Sequence, residues 1–154
     1  MLIYFTLSII LILYAILVSL MKKKTFDFMV SRGIKKVDAI YYNRKLVHIL
    51  AGGVIALFVP FFPNPIFPLI SGIILAIFTY YSHKKDQMLY WFQNSKDLND
   101  VSFCLMWGFT VFILWTLTGN PWISIIPISF MAFGDGITGI VRNAMFKKRT
   151  KHPL

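Results

Sequence analysis

The strongest chemical signal in the sequence is an aspartate inside a long apolar run. Asp135 lies in FGDGITGIVRN, seven residues before Arg142. A carboxylate is costly inside a membrane, so acids there usually face a protein interior or a wet cavity and often mark ion, metal or substrate sites. Helical spacing puts Asp135, Gly139 and Arg142 on one face. A structural ion pair is the alternative interpretation.

The glycines around Asp135 suit two purposes. Gly139 leaves a gap between the anion at Asp135 and the cation at Arg142. Gly134 and Gly136 allow close helix packing, which is the usual reason for small residues in membrane helices. The same small residues also give a ligand access, and both purposes stay open.

The segment NRKLVH is the second signal, because it carries three basic side chains into the start of an apolar run. Arg44 and His48 share a helical face, and Lys45 is three residues before His48. Arginine and lysine at this point are also ordinary determinants of membrane topology. His48 can contact phosphate, accept a proton or bond a neighbouring helix. Gly52 and Ala56 continue this face as small residues that let another helix approach.

A third polar group precedes the fourth apolar run and comprises Lys96, Asp97, Asn99 and Asp100. Its oxygen ligands suit a divalent cation. The same side chains can instead cap the start of a helix, where carboxylates are favourable. All three groups adjoin basic segments. Cations that bind phosphate, carboxylates that bind Mg²⁺ and direct access from lipid together favour phosphoryl transfer from a soluble donor to a lipid acceptor.

The composition indicates that lipid surrounds the elements holding these groups. Of 154 residues, 57% are hydrophobic and 14% are charged, whereas charged residues make up roughly a quarter of a soluble domain. We therefore predict an all-α, polytopic membrane protein that forms one integral membrane domain over residues 1–154. Five apolar runs are each about long enough to cross a bilayer. They cover Leu2 to Met21, Leu46 to Phe62, Ile66 to Ser82, Val101 to Thr118 and Trp122 to Val141, and the first is a retained anchor over residues 1–21.

The positive charges predict the orientation. The net charge is +10, and every lysine and arginine falls in one of three segments. These are Lys22, Lys23, Lys24, Arg32, Lys35, Lys36, Arg44 and Lys45; Lys84, Lys85 and Lys96; and Arg142, Lys147, Lys148, Arg149 and Lys151. Lysine and arginine in short loops stay in the cytoplasm, which predicts an outside N-terminus and a cytoplasmic C-terminus. Such charges suit an anionic membrane surface, and no nucleic-acid partner is expected.

The aromatic cluster from Met88 to Phe92 lies between charged flanks. A short helix in the membrane interface would explain it, with the rings at headgroup level. Direct substrate contact is the alternative. Cys104 is the only cysteine, so the chain forms no internal disulfide and no cysteine-based metal cluster.

RKLVH at the start of one span and FGDGITGIVRN late in another, followed by KKRTK, resemble the CTP-dependent polyprenol kinases, which include dolichol kinase and phytol kinase. The likeness covers roughly residues 40–154, and the GDGITGIVRN motif looks most like that of archaeal members. It implies a cytoplasmic active site in the cell membrane, with CTP as phosphoryl donor and a long-chain isoprenoid alcohol as acceptor. Mg²⁺ is expected as the metal.

The residue chemistry above and the resemblance together lead to the following expected residue roles. Asp135 and His48 would be catalytic, and Asp135 and Asp100 would bind the metal. The nucleotide would contact Arg44, Lys45, Gly134, Gly136, Gly139, Arg142, Lys147 and Lys148.

The chain departs from the family pattern in two places. Many members have a second acid or a serine where this chain has Gly139, and they continue beyond the basic run into further apolar spans. The chain is therefore expected to be truncated, a shortened paralogue, or completed by a second copy or a partner subunit. A cytidylyltransferase that makes a CDP-lipid, a non-catalytic membrane subunit and a small transporter remain as alternative functions.

Overall fold

The computed structural model describes residues 2–84, 89–94 and 97–146. These residues form five helices that are long and apolar enough to cross a membrane, and the described part of the chain contains no strand. The predicted all-α membrane fold is confirmed. The helices are α1 (Leu2–Ser31), α2 (Lys36–Phe61), α3 (Ile66–Lys84), α4 (Asn99–Thr118) and α5 (Pro121–Met145).

The first two helices are longer than their apolar runs. The predicted anchor ended at residue 21, but α1 continues through three lysines to Ser31, and α2 begins at Lys36 ten residues before its apolar run. Lysine is a good helix former, so a lysine run ends the lipid-facing part of a helix and not the helix itself. At 1.5 Å per residue α1 is about 45 Å long, against roughly 30 Å for the hydrocarbon core.

The turns between helices form where proline and glycine predicted them. Gly119 ends α4 with a φ of 66°, a left-handed conformation that glycine adopts at no steric cost. The Asn120 side chain then caps α5 by accepting from the Trp122 N–H at 2.9 Å, and Pro121 occupies the first helical position. These three residues reverse the chain in a minimal length.

The main core joins α1 to the other helices. Leu11 and Ala15 of α1 are buried in one cluster with Trp107 and Val111 of α4 and Ile128 of α5. The helix surfaces away from this cluster carry large apolar side chains, as expected for lipid contact. The segment predicted as an anchor therefore shares the core of the membrane domain.

Glycine brings α3 and α4 close together. A methyl group added to Gly72 would meet the Cys104 carbonyl oxygen at 2.9 Å and the Gly108 Cα at 3.1 Å. Helices in lipid gain little from the hydrophobic effect, so association depends on such close packing. This contact fixes the distance between the helices that carry His83 and Asp100.

Two helices widen into π-helical turns in their central parts. These turns span His48–Gly53 in α2 and Phe130–Gly134 in α5, and they pack against each other. In α5 the wide turn follows Pro127, which cannot donate the regular backbone hydrogen bond. One wide turn begins at His48 and the other ends immediately before Asp135. Turns of this kind are rare and frequently occur at functional sites.

The predicted interfacial helix at Met88 to Phe92 is wrong for its described residues. Residues 89–92 form a turn, and Leu89, Trp91 and Phe92 are buried against Phe26 and Ala39. Met88 lies outside the described residues. Aromatic side chains between charged flanks look alike in sequence whether they enter the headgroups or fill a gap between helices, and here they fill the gap.

Candidate functional site

Contacts between distant segments place the polar groups at one end of the bundle, called here the basic end. It contains the junction of α1 and α2, residues 89–94, the start of α4 and the end of α5. Asn43, which is fully buried, ties this end together by donating to the carbonyl oxygens of Lys22 at 2.8 Å and Trp91 at 3.1 Å. The Trp91 indole N–H donates in turn to the Ser19 carbonyl at 2.7 Å. Residues 89–94 are thereby held against α1 and α2.

An ion pair between α2 and α5 is central to the basic end. The Lys45 ammonium donates to the Oδ2 atom of Asp135. Only 10% of the Lys45 side chain is exposed, whereas 39% of the Asp135 side chain is exposed. The carboxylate thus remains accessible while its cation is largely buried. We call this contact the Lys45–Asp135 pair.

Two glycines of α5 make room for the face of α2 that carries Lys45. A methyl group added to Gly139 would meet the Lys45 Cε and the Tyr41 hydroxyl, each at 2.8 Å, and one added to Gly136 would meet the Ile49 side chain at 2.5 Å. Nothing lies within 4 Å of the corresponding position at Gly134. Gly136 and Gly139 therefore serve close packing, whereas Gly134 leaves space beside Asp135.

Tyr41 is a site residue that the sequence analysis missed. Its hydroxyl donates to the Gly139 carbonyl oxygen at 3.3 Å and accepts from Arg142 Nη2 at 3.4 Å. Its ring lies 5.6 Å from the Lys45 ammonium, within reach of a cation–π contact. Tyr41 is one helical turn before Lys45, so helical spacing from Lys45 was the signal that could have identified it.

Arg44 faces a different neighbour from Lys45. Its guanidinium lies 3.5 Å from the Asp97 carboxylate, and both side chains are partly exposed. Exposed pairs contribute little stability, so Arg44 is held weakly at the rim. Lys45 contacts Asp135 of the first predicted group, and Arg44 contacts Asp97 of the third. The structure therefore brings all three predicted groups together. Lys96, Lys147 and Lys148 lie outside the described residues.

His48 lies between the charged face of α2 and an apolar cavity. Its ring stacks on Phe103 with centroids 4.0 Å apart and planes at 13°. A methyl group on Gly52 would meet the Phe103 ring at 2.6 Å, so the predicted small face does let α4 approach. The His48 Nε2 atom is buried and has no hydrogen-bond partner. It is therefore a polar group that an incoming donor could satisfy.

Asp100 belongs to a closed network between α3 and α4. One carboxylate oxygen lies 2.9 Å from His83 Nε2, and the other accepts from the Gln93 amide. Gln93 also accepts from the Ser82 hydroxyl at 2.8 Å and donates to the Thr79 carbonyl at 3.2 Å. Only 10% of the Asp100 side chain is exposed. We call this arrangement the Asp100 network.

These contacts bear on the expected metal. The described residues contain no group of three or more histidine, cysteine, aspartate or glutamate side chains placed to share an ion. Mg²⁺ is often held by one or two carboxylates together with substrate phosphates, and the accessible Asp135 fits that use. Both oxygens of Asp100 already have partners, which does not favour its predicted metal role.

No protein-family model, curated protein or solved structure matches this chain.

Proposed function

We propose that the protein phosphorylates a long-chain isoprenoid alcohol, using CTP as donor, at the cytoplasmic face of the membrane. The observation that carries this proposal is the position of His48. It lies one helical turn from the Lys45–Asp135 pair on one side and lines an apolar cavity on the other. A phosphate donor and a lipid hydroxyl could approach each other at such a junction.

The donor phosphates would bind to cations of the basic end. Lys45 and Arg142 flank Gly139 on the face shared by α2 and α5, and Arg44 lies at the rim. Positioning and charge neutralisation supply most of the catalysis in phosphoryl transfer, and buried cations act strongly because they are poorly screened. The choice of CTP rests on the resemblance of RKLVH and FGDGITGIVRN to the polyprenol kinases.

The reaction is a simple displacement. The lipid hydroxyl oxygen forms a bond to the γ-phosphorus, and the bond from that phosphorus to the β–γ bridging oxygen breaks. CDP leaves with the bonding electrons, and the hydroxyl proton passes to His48 Nε2, which has no other partner. Mg²⁺, when bound by Asp135 and the donor phosphates, would neutralise the charge that develops during transfer.

The cytoplasmic orientation is part of the proposal. The lysines and arginines of the described chain gather at the basic end, as the positive-inside rule requires of a cytoplasmic face. Nucleotides are cytoplasmic, so donor and site would meet there. A reporter fused after Thr118 should then appear outside the cell, and one fused after Lys84 should appear inside.

Doubly labelled CTP tests the reaction. The purified protein in membranes containing a polyprenol receives CTP labelled either at the γ-phosphate or in the cytidine. Label from the γ-phosphate should reach the lipid, and CDP should be released in equal amount. Transfer of the cytidine label with release of pyrophosphate would instead support a CDP-lipid synthase. Transfer of neither label, across isoprenoid alcohols and phospholipids, would overturn the enzymatic proposal in favour of a membrane subunit.

A further inference from the structure

A small cavity lies between α1, α2, α3 and α4 beside the proposed site. Its volume is about 80 Å³, and it is partly open. The lining residues farthest from the basic end are apolar and include Leu11, Phe62 and Pro68. The polar side chains of the lining that lie toward the basic end are those of Ser19, His48, Thr79 and Asp100, whereas Ser71 lies near Pro68 at the other end. The cavity thus has a small polar end beside His48 and is largely apolar beyond it.

The polar end is suited to a neutral hydroxyl. Thr79 donates to carbonyl oxygens of its own helix, and Asp100 is engaged by His83 and Gln93. His48 Nε2 is a buried nitrogen that still lacks a partner, a state that costs free energy until a hydrogen-bonding group arrives, and a hydroxyl can either donate to it or accept from it. An anionic head group would meet the Asp100 carboxylate here, whereas a hydroxyl can donate to His48 without that repulsion.

The volume limits how much of a lipid can enter. A cavity of about 150 Å³ holds benzene, with its six heavy atoms, so a cavity of about 80 Å³ encloses roughly three heavy atoms. That is the hydroxyl oxygen and the first carbon atoms next to it, which is less than one isoprene unit. A longer chain must leave through the open side of the cavity and lie in the surrounding lipid.

We propose that this cavity binds the hydroxyl end of the acceptor alcohol and encloses no more than part of its first isoprene unit. The protein then recognises the hydroxyl end of the lipid and does not discriminate between isoprenoid chains of different length. Because α1 supplies Leu11, Ala15 and Ser19 to the lining, it is part of the acceptor site as well as an anchor. This inference rests on the proposed function for the identity of the ligand as an alcohol.

Photolabelling without nucleotide tests the inference. The full protein in phosphatidylcholine nanodiscs is irradiated with either of two farnesol analogues, one bearing a diazirine on its first isoprene unit and the other on its third. Labelled positions are mapped by mass spectrometry. The first analogue should label lining residues of α1, α3 and α4, and the second should label lipid or the outer helix surfaces.

Cavity-filling variants provide the control. Ser71→Leu should reduce labelling by the first analogue about fivefold or more, because it overfills the cavity. The Ser71 hydroxyl bonds only within its own helix, to the Phe67 carbonyl, so its loss costs little. Thr116→Leu removes the same kind of intrahelical bond on an exposed surface and should leave labelling unchanged. If Ser71→Leu does not fold, Ser19→Leu fills the cavity from α1.

Two results would overturn the inference: equal labelling of the lining by both analogues, or labelling that persists in the filled variants. If the first analogue labels the cavity but the kinase assay shows no γ-phosphate transfer, the cavity binds an alcohol and the proposed function is wrong. If γ-phosphate is transferred but the analogue labels other positions, the proposed function stands and only the cavity assignment is wrong.

Discussion

The Lys45–Asp135 pair and the Asp100 network each place an aspartate near the basic end of the bundle, yet they differ in accessibility. The Asp100 side chain is 10% exposed and has both oxygens engaged by His83 and Gln93. The Asp135 side chain is 39% exposed and adjoins the open space at Gly134. An acid near lipid is therefore a functional candidate only when a ligand can still reach it. By that criterion Asp135 is the candidate for chemistry and Asp100 the candidate for a structural role.

The largest effect that this contrast predicts comes from Asp135→Asn. The amide keeps the shape and can still accept from Lys45, but it removes the anion. CTP-dependent transfer should fall about 100-fold or more. The free energy of unfolding should also fall, because the largely buried Lys45 loses its countercharge, but by less than the roughly 3–5 kcal/mol of a fully broken buried pair, since the amide oxygen still accepts. Activity is measured per folded molecule.

Asp97→Asn is the matched control, because it removes a carboxylate from the exposed pair with Arg44. Its activity should stay within about threefold of the unmodified protein. Near-normal activity in Asp135→Asn would make that residue structural and erase the distinction between the two aspartates.

Asp100→Ala should act on stability instead. It leaves the His83 and Gln93 donors buried without their acceptor, which lowers the free energy of unfolding by about 1–3 kcal/mol. Denaturant titration in mixed micelles measures this loss. Ser102→Ala, at an exposed position of the same helix, should stay within about 0.5 kcal/mol. A stable Asp100→Ala protein with abolished transfer would place Asp100 in the chemistry and reverse the assignment.

The smallest predicted effect tests the geometry of the pair. In Gly139→Ala the new methyl group would displace the Lys45 side chain and the Tyr41 hydroxyl, both ends of side chains that can move. Transfer should fall about tenfold, since small misplacements of charged groups slow catalysis strongly, while stability is largely kept. Gly134→Ala places its methyl group in open space, so it should keep stability, and it should lower transfer less than Gly139→Ala because it displaces neither Lys45 nor Tyr41. Equal effects of the two substitutions would show that the fit around Gly139 is unimportant.

The sequence predicted the helices better than the contacts between them. Apolar runs and the TGNPW turn identified five spans, because lipid imposes a minimum apolar length and proline and glycine interrupt helices. Helix ends were less predictable, since Lys22 to Lys24 mark where lipid ends and not where α1 ends. The polar segments were recognised because charge is conspicuous in an apolar chain.

The partners of those polar groups could not be predicted from local patterns. Tyr41 contacts a residue 98 positions away, and Gln93 reaches Asp100 from a turn with no regular periodicity. The burial of Leu89 and Trp91 depends on the gap left between α1 and α2. Such contacts follow from how closely the helices pack, which depends on the glycines at their interfaces. The separation of residues along the sequence does not contain that information.

The separation of the Lys45–Asp135 pair along the chain has a consequence for biogenesis. The two residues are 90 positions apart in the sequence. Because proteins are synthesised at about 5–20 residues per second, Asp135 is added several seconds after Lys45. During that interval we expect the ammonium to extend toward the headgroups, where water solvates the charge. Trp91 and Asn43 can already join α1, α2 and residues 89–94 before α5 exists. The Lys45 charge therefore gains its carboxylate partner only after α5 has been synthesised.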